Sequence, residues 1–140
     1  MTAQLAFAFQ KVLPVDDDET DLFINKRIIE LAHFAAQVVC HNLGKDALAY
    51  LFSLPTAKHP EIIFLDLNMP ILNGFGVLKS LEHLAESFPV RSKIYMLTSS
   101  LSPIDRTQAQ QHKCISQYLI KPISEEILYE ITQTHPPLKP

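Results

Sequence analysis

Two short segments, IIFLDL at 62–67 and KIYMLT at 93–98, are apolar at nearly every position. A strand with one wet face alternates apolar and polar residues, so unbroken runs belong to parallel strands covered by helices on both sides. Strands are expected at 10–15, 36–41, 62–67, 93–98 and 117–120, and helices at 19–32, 45–54, 74–87, 103–113 and 124–133. Gly44 precedes the second helix, Ser102-Pro103 offers a cap and a first-turn proline to the fourth, and Ser124, followed by acids, starts the fifth. Five strand-then-helix units in succession predict an α/β fold, a three-layer, doubly wound, five-stranded parallel sheet. Pro14 falls inside the first strand, where it removes a ladder hydrogen bond, so a local bulge is expected there.

A chain of 140 residues closes one such core without disulfides or a structural metal. The expected unit is 10–133, with 1–9 as an N-terminal extension and 134–140 as a flexible tail whose prolines keep it from continuing the last helix. The formal charge of −3 includes no long run of either sign, which argues against direct nucleic-acid binding and against a polybasic membrane surface. No segment is apolar for long enough to span a bilayer, and the N-terminus lacks the pattern of a secretory signal. Cys40 and Cys114 have no CxxC companion, so a reduced, cytoplasmic setting without zinc is expected.

Right-handed crossovers gather the C-terminal ends of parallel strands on one edge, and ligands bind where the strand order reverses. Four polar motifs fall on that edge: Asp16-Asp17-Asp18 after the first strand, Asp66 closing the third, Thr98-Ser99-Ser100 after the fourth, and Lys121-Pro122 after the fifth. In a sheet of order 2-1-3-4-5 the reversal lies between strands one and three, which makes neighbours of Asp16, Asp17 and Asp66. Three carboxylates repel, and a hard divalent cation relieves the repulsion. Mg²⁺ suits the site because it keeps waters and accepts a phosphate oxygen; Mn²⁺ is a workable substitute. A carboxylate can attack phosphorus to give an acyl phosphate, with Lys121 and the Thr98 hydroxyl meeting the phosphoryl oxygens. Each motif alone has a plain structural reading, as a helix-capping loop, a turn former or a loop dipeptide. Their joint placement at the correct strand ends is what points to chemistry.

In this order and spacing VDDD, FLDLNMPILNG, MLTSS and YLIKP resemble the receiver domain of two-component response regulators of the chemotaxis-regulator type, from about Lys11 to Ile131. The resemblance implies a flavodoxin-like fold and makes Asp66 the phosphorylated residue. It gives Asp16, Asp17 and Asp66 to Mg²⁺, together with the backbone carbonyl of Asn68. Thr98 matches the hydroxyl residue that meets the phosphoryl group, Ser99 a small residue that leaves the pocket open, and Lys121 the family lysine, with a cis bond to Pro122. Should Pro14 shift the first strand, Asp17 and Asp18 become the alternative metal pair, although Val15-Asp16-Asp17 fits the family pattern. Tyr118 matches the switch aromatic, against its other reading as a half-buried strand tyrosine. The implied phosphodonor is a histidine kinase or a histidine phosphotransfer protein. The implied output is contact between a downstream protein and the face of strand five with helices four and five, by a monomer or weak homodimer without a DNA-binding output domain. Such a chain is a signalling switch that assists its own phosphorylation and dephosphorylation.

A binding-only pseudo-receiver is disfavoured by the complete residue set, and a flavin enzyme by aspartates where a phosphate-cradling loop is needed. A dehalogenase-type phosphatase needs a second aspartate where Asn68 stands. The histidines, His33, His41, His59, His83, His112 and His135, show no metal-binding spacing, and most are expected at surfaces and helix ends. Leu22, Ile28, Ile29 and Leu31, with Val77, Leu78, Leu81 and Leu84, have core spacing, and Phe23 and Phe75 are assigned to packing. The link from Glu86 to Lys93 is long and polar, and is read as surface length variation.

Overall fold

Alternation along the strands decides the layering of this protein, a computed structural model that describes residues 7–87, 92–99, 102–112 and 114–134. In β1 (Phe9–Val15) and β3 (Ile62–Asp66), Leu13, Val15, Ile63 and Leu65 enter one core, while Val12, Ile62 and Phe64 enter the other. The first core is closed by α2 (Gly44–Phe52), α3 (Gly74–Ser87) and α4 (Pro103–Gln110), through residues such as Leu51, Leu78 and Ala109. The second is closed by α1 (Glu19–Leu31) and α5 (Glu125–Thr134), through Ile29, Leu128 and Ile131. With β2 (Ala35–Val38), β4 (Lys93–Thr98) and β5 (Ile115–Ile120), the strands form one parallel sheet in the order β2-β1-β3-β4-β5, as expected. No helix among the described residues is long and apolar enough to cross a membrane.

Pro14 does not produce the expected bulge: β1 pairs with β3 residue for residue through Pro14↔Phe64. The reason lies in the side to which Pro14 bonds. Its carbonyl accepts the His41 amide at 3.2 Å, so the missing N–H faces the β2 edge, and β2 has already stopped at Val38. A register shift occurs instead between Ile94 and Tyr95, where β4 meets β5. Pairing with β4 also starts β5 at Ile115, earlier than its polar sequence suggests, and a 3₁₀ turn at Thr56–Lys58 leads into β3.

Two packing expectations fail, and one histidine departs from the surface position expected of most. Phe23 and Leu31 are 64% and 63% exposed, because the packed face of α1 is carried by Asn25 and Ile29. His59 is buried, with Nε2 at 2.9 Å from the Leu51 carbonyl, not at the surface. The side chain of Leu84, the link residues 88–91, and 135–140, His135 included, lie outside the described residues.

The turn from β3 into α3 leaves no room for a side chain at Gly74. A Cβ on Gly74 would meet the Asp66 carbonyl at 2.7 Å and Leu67 Cα at 2.9 Å, both backbone atoms that cannot swing away. Gly74→Ala is therefore expected to destabilise the fold by about 2 kcal/mol, read as a lower urea midpoint with an unchanged slope. An unchanged midpoint would show that the loop yields freely.

Candidate functional site

Where β1 ends, Asp16 is 2% exposed and fully engaged. Its Oδ1 accepts the Asp18 amide at 2.9 Å and its Oδ2 accepts the Lys121 ammonium at 2.8 Å. Asp18 is committed to the helix: its Oδ1 accepts the amides of Thr20 and Asp21 at 2.9 and 3.0 Å, capping α1. Asp17, exposed, joins Asp16 and Asp66, with one oxygen of each carboxylate within 4.8 Å of the others. Of the two acidic pairs left open by the sequence, the fold brings Asp16 and Asp17 to Asp66 and turns Asp18 to capping.

Asp66, the last residue of β3, is 3% exposed. Burial first, then the charge of Asp16, push its carboxyl from 3.8 up to about 7, against the pull of Lys121. Lys121 follows β5 and is joined to Pro122 by a cis peptide. Its Nζ lies 2.8 Å from Asp16, 3.1 Å from Asp21 and 3.2 Å from Asp66. Burial opposes the Lys121 charge, yet the hydrogen bond to Asp16 and the field of Asp66 outweigh it and hold the ammonium above the ordinary lysine range.

Thr98 ends β4 fully buried, and its carbonyl accepts the Lys121 amide at 2.8 Å, which ties the two strand ends together. Ser99 is exposed beside it, and Asn68 is exposed two residues past Asp66. Tyr118 is half-buried on β5, with Arg106 of α4 5.6 Å from its ring centroid. Its enclosed hydroxyl has no hydrogen bond of good geometry. Burial pushes the phenol up, with the Thr98 side chain acting against this.

Asp21 is the residue that sequence reading missed. It passed for a helix-favouring acid in the first turn of α1. The available signal was its place three residues beyond the cap, from which a helical side chain leans back over the N-terminus and toward the strand ends.

Among the described residues, Asp16, Asp17 and Asp66 are the group of carboxylates able to share a metal ion. Their oxygens are hard donors, few in number, and crowded enough to raise Asp66, which is the setting Mg²⁺ relieves while retaining waters.

The model of the response regulator receiver domain family matches residues 12–133. Transcriptional regulatory protein PrrA of Mycobacterium tuberculosis is 31% identical over 112 residues, 80% of this chain and 43% of that protein. The chain thus spans less than half the length of that curated relative. Protein PilH of Pseudomonas aeruginosa is 28% identical over 84% of this chain and 90% of its own length. A two-component response regulator structure from Cytophaga hutchinsonii superposes with a TM-score of 0.78 at 27% identity, over 92% of this chain and 99% of that one. With a family model spanning nearly the whole described fold and a shared strand order, the chain belongs to the response regulator receiver domain family of two-component systems.

Proposed function

We propose that this chain is a Mg²⁺-dependent phosphorylation switch, accepting a phosphoryl group on Asp66 from a histidine kinase or a histidine phosphotransfer protein. The observation that carries the reading is a half-buried ammonium, Lys121, 3.2 Å from a carboxylate at a strand end that two further aspartates crowd. Asp16, Asp17 and Asp66, with the Asn68 carbonyl, would hold the ion. Bound there, Mg²⁺ would neutralise charge on the phosphoryl oxygens and keep Asp66 ionised.

An Asp66 oxygen forms the bond to phosphorus as the bond to the donor's imidazole nitrogen breaks, the imidazole then gaining a proton from solvent. Lys121 neutralises the incoming oxygens, the Thr98 hydroxyl bonds one of them, and Ser99 leaves room for water and donor. Tyr118, enclosed beside Thr98, then reports the new charge to a downstream protein through the face of α4, β5 and α5. The receiver unit runs over 10–133, between the segments 1–9 and 134–140, and works in the cytoplasm as a monomer or weak homodimer.

Incubation with phosphoramidate and Mg²⁺, followed by intact mass spectrometry, is expected to add one phosphate, located by fragmentation at Asp66 and absent when the metal is chelated beforehand. No gain, or a phosphate on another residue, overturns the reading.

A further inference from the structure

An ammonium has three N–H donors, and three carboxylate oxygens already surround Lys121, from Asp16, Asp21 and Asp66. A phosphoryl group arriving on Asp66 takes the charge off that carboxylate and sets its own oxygens farther from the strand end, so the ammonium must move to follow them and loosen one of its two other partners. Asp16 is the poorest candidate, since it is 2% exposed and its other oxygen holds the Asp18 amide. Stripping its partner would leave a charge in a dry site. Asp21 sits on the rim of the pocket, in the first turn of α1, with a side chain 41% exposed. Water can replace Lys121 there at little cost.

Resting on the phosphorylation of Asp66 proposed above, we propose that Asp21 is a positioning residue for that reaction. It parks the Lys121 ammonium toward α1 in the unphosphorylated protein and releases it when the phosphoryl group arrives. Phosphoryl uptake is slowed by the strength of this contact.

A double-mutant cycle tests this with phosphoramidate and Mg²⁺, using wild type, Asp21→Asn, Lys121→Ala and the double variant. Asp21→Asn is expected to raise the initial rate of phosphate uptake about fivefold with Lys121 present, and to leave it nearly unchanged in the Lys121→Ala background. An equal gain in both backgrounds would mean that Asp21 acts only by repelling the anionic donor, and it would overturn the proposal; so would no gain in either. Carbon-13 spectra give a second readout. Beryllofluoride with Mg²⁺, a phosphoryl mimic, is expected to move the Asp21 carboxyl resonance of wild type toward its position in Lys121→Ala. A resonance that stays in place overturns the parking role. Absence of phosphate on wild type would overturn the phosphorylation reading and this one together, whereas phosphate on Asp66 with equal factors in the two backgrounds removes only the role of Asp21.

Discussion

Asp66→Asn is expected to stop phosphate uptake completely and, at the same time, to make the metal-free protein harder to unfold above pH 7. The first effect follows because an amide oxygen does not attack phosphorus under these conditions, while Asp16, the other buried carboxylate beside Lys121 among the described residues, is committed to the Lys121 ammonium and the Asp18 amide. The second comes from linkage. The Asp66 carboxyl is raised in the fold from 3.8 to about 7, so between those values the folded state binds more protons than the unfolded one. Stability from this group is therefore greatest at low pH, declines as pH rises through the window, and is fully lost above about 7. Asparagine keeps an acceptor for Lys121 and removes the charge that causes the loss. Near pH 8 the variant is expected to gain about 2 kcal/mol in urea unfolding, with little difference near pH 4. Added Mg²⁺ should stabilise wild type and barely affect the variant. A variant no more stable than wild type at high pH would mean that Asp66 is not under electrostatic strain, and residual phosphate uptake would place the acceptor elsewhere.

The layering of the fold was legible because burial on both faces leaves an unmistakable mark on a strand, and β3 and β4 are apolar at nearly every position. The strand ends were legible for the same reason: once β3 is fixed, Asp66 must close it. What the sequence concealed depended on partners brought from far away. Whether Pro14 disrupts the sheet is decided by where β2 stops, a property of another strand. Phe23 and Leu31 read as core by composition, yet the buried face of α1 is set by how α1 lies against the sheet, and it selects Asn25 and Ile29. Asp21 meets Lys121 across 100 residues of chain, and nothing local separates it from any acid in a first helical turn. The commitment of Asp18 to capping, by contrast, was available in principle, since an aspartate directly before a helix with Asp21 three residues later is a common N-terminal pattern.

Lys121→Ala should separate the chemistry from the conformational response. Removing the ammonium leaves Asp16 and Asp66 buried together with no cation, which pushes the Asp66 carboxyl further above its already raised position. The Asp66 penalty falls on its ionised form, so the variant's loss should be smaller near pH 5 and grow to about 2 kcal/mol near pH 8, with Mg²⁺ restoring most of it. The fold survives because both cores are made by residues other than Lys121. Phosphoramidate should still modify Asp66, roughly tenfold more slowly, since one charge that meets the phosphoryl oxygens is gone. The response should suffer more. Lys121 is the first residue after β5 and lies three residues from Tyr118; its amide also bonds the Thr98 carbonyl. A phosphoryl group that draws the ammonium inward therefore pulls on the strand that carries Tyr118, and its added charge biases that element only through a contact of this kind. In the variant, amide shifts on phosphorylation should stay near Asp66 and the loop after β1, and be largely absent from α4, β5 and α5. Shifts on that face as large as those of wild type would show that the signal travels by Thr98 alone, with Lys121 serving the chemistry and nothing else.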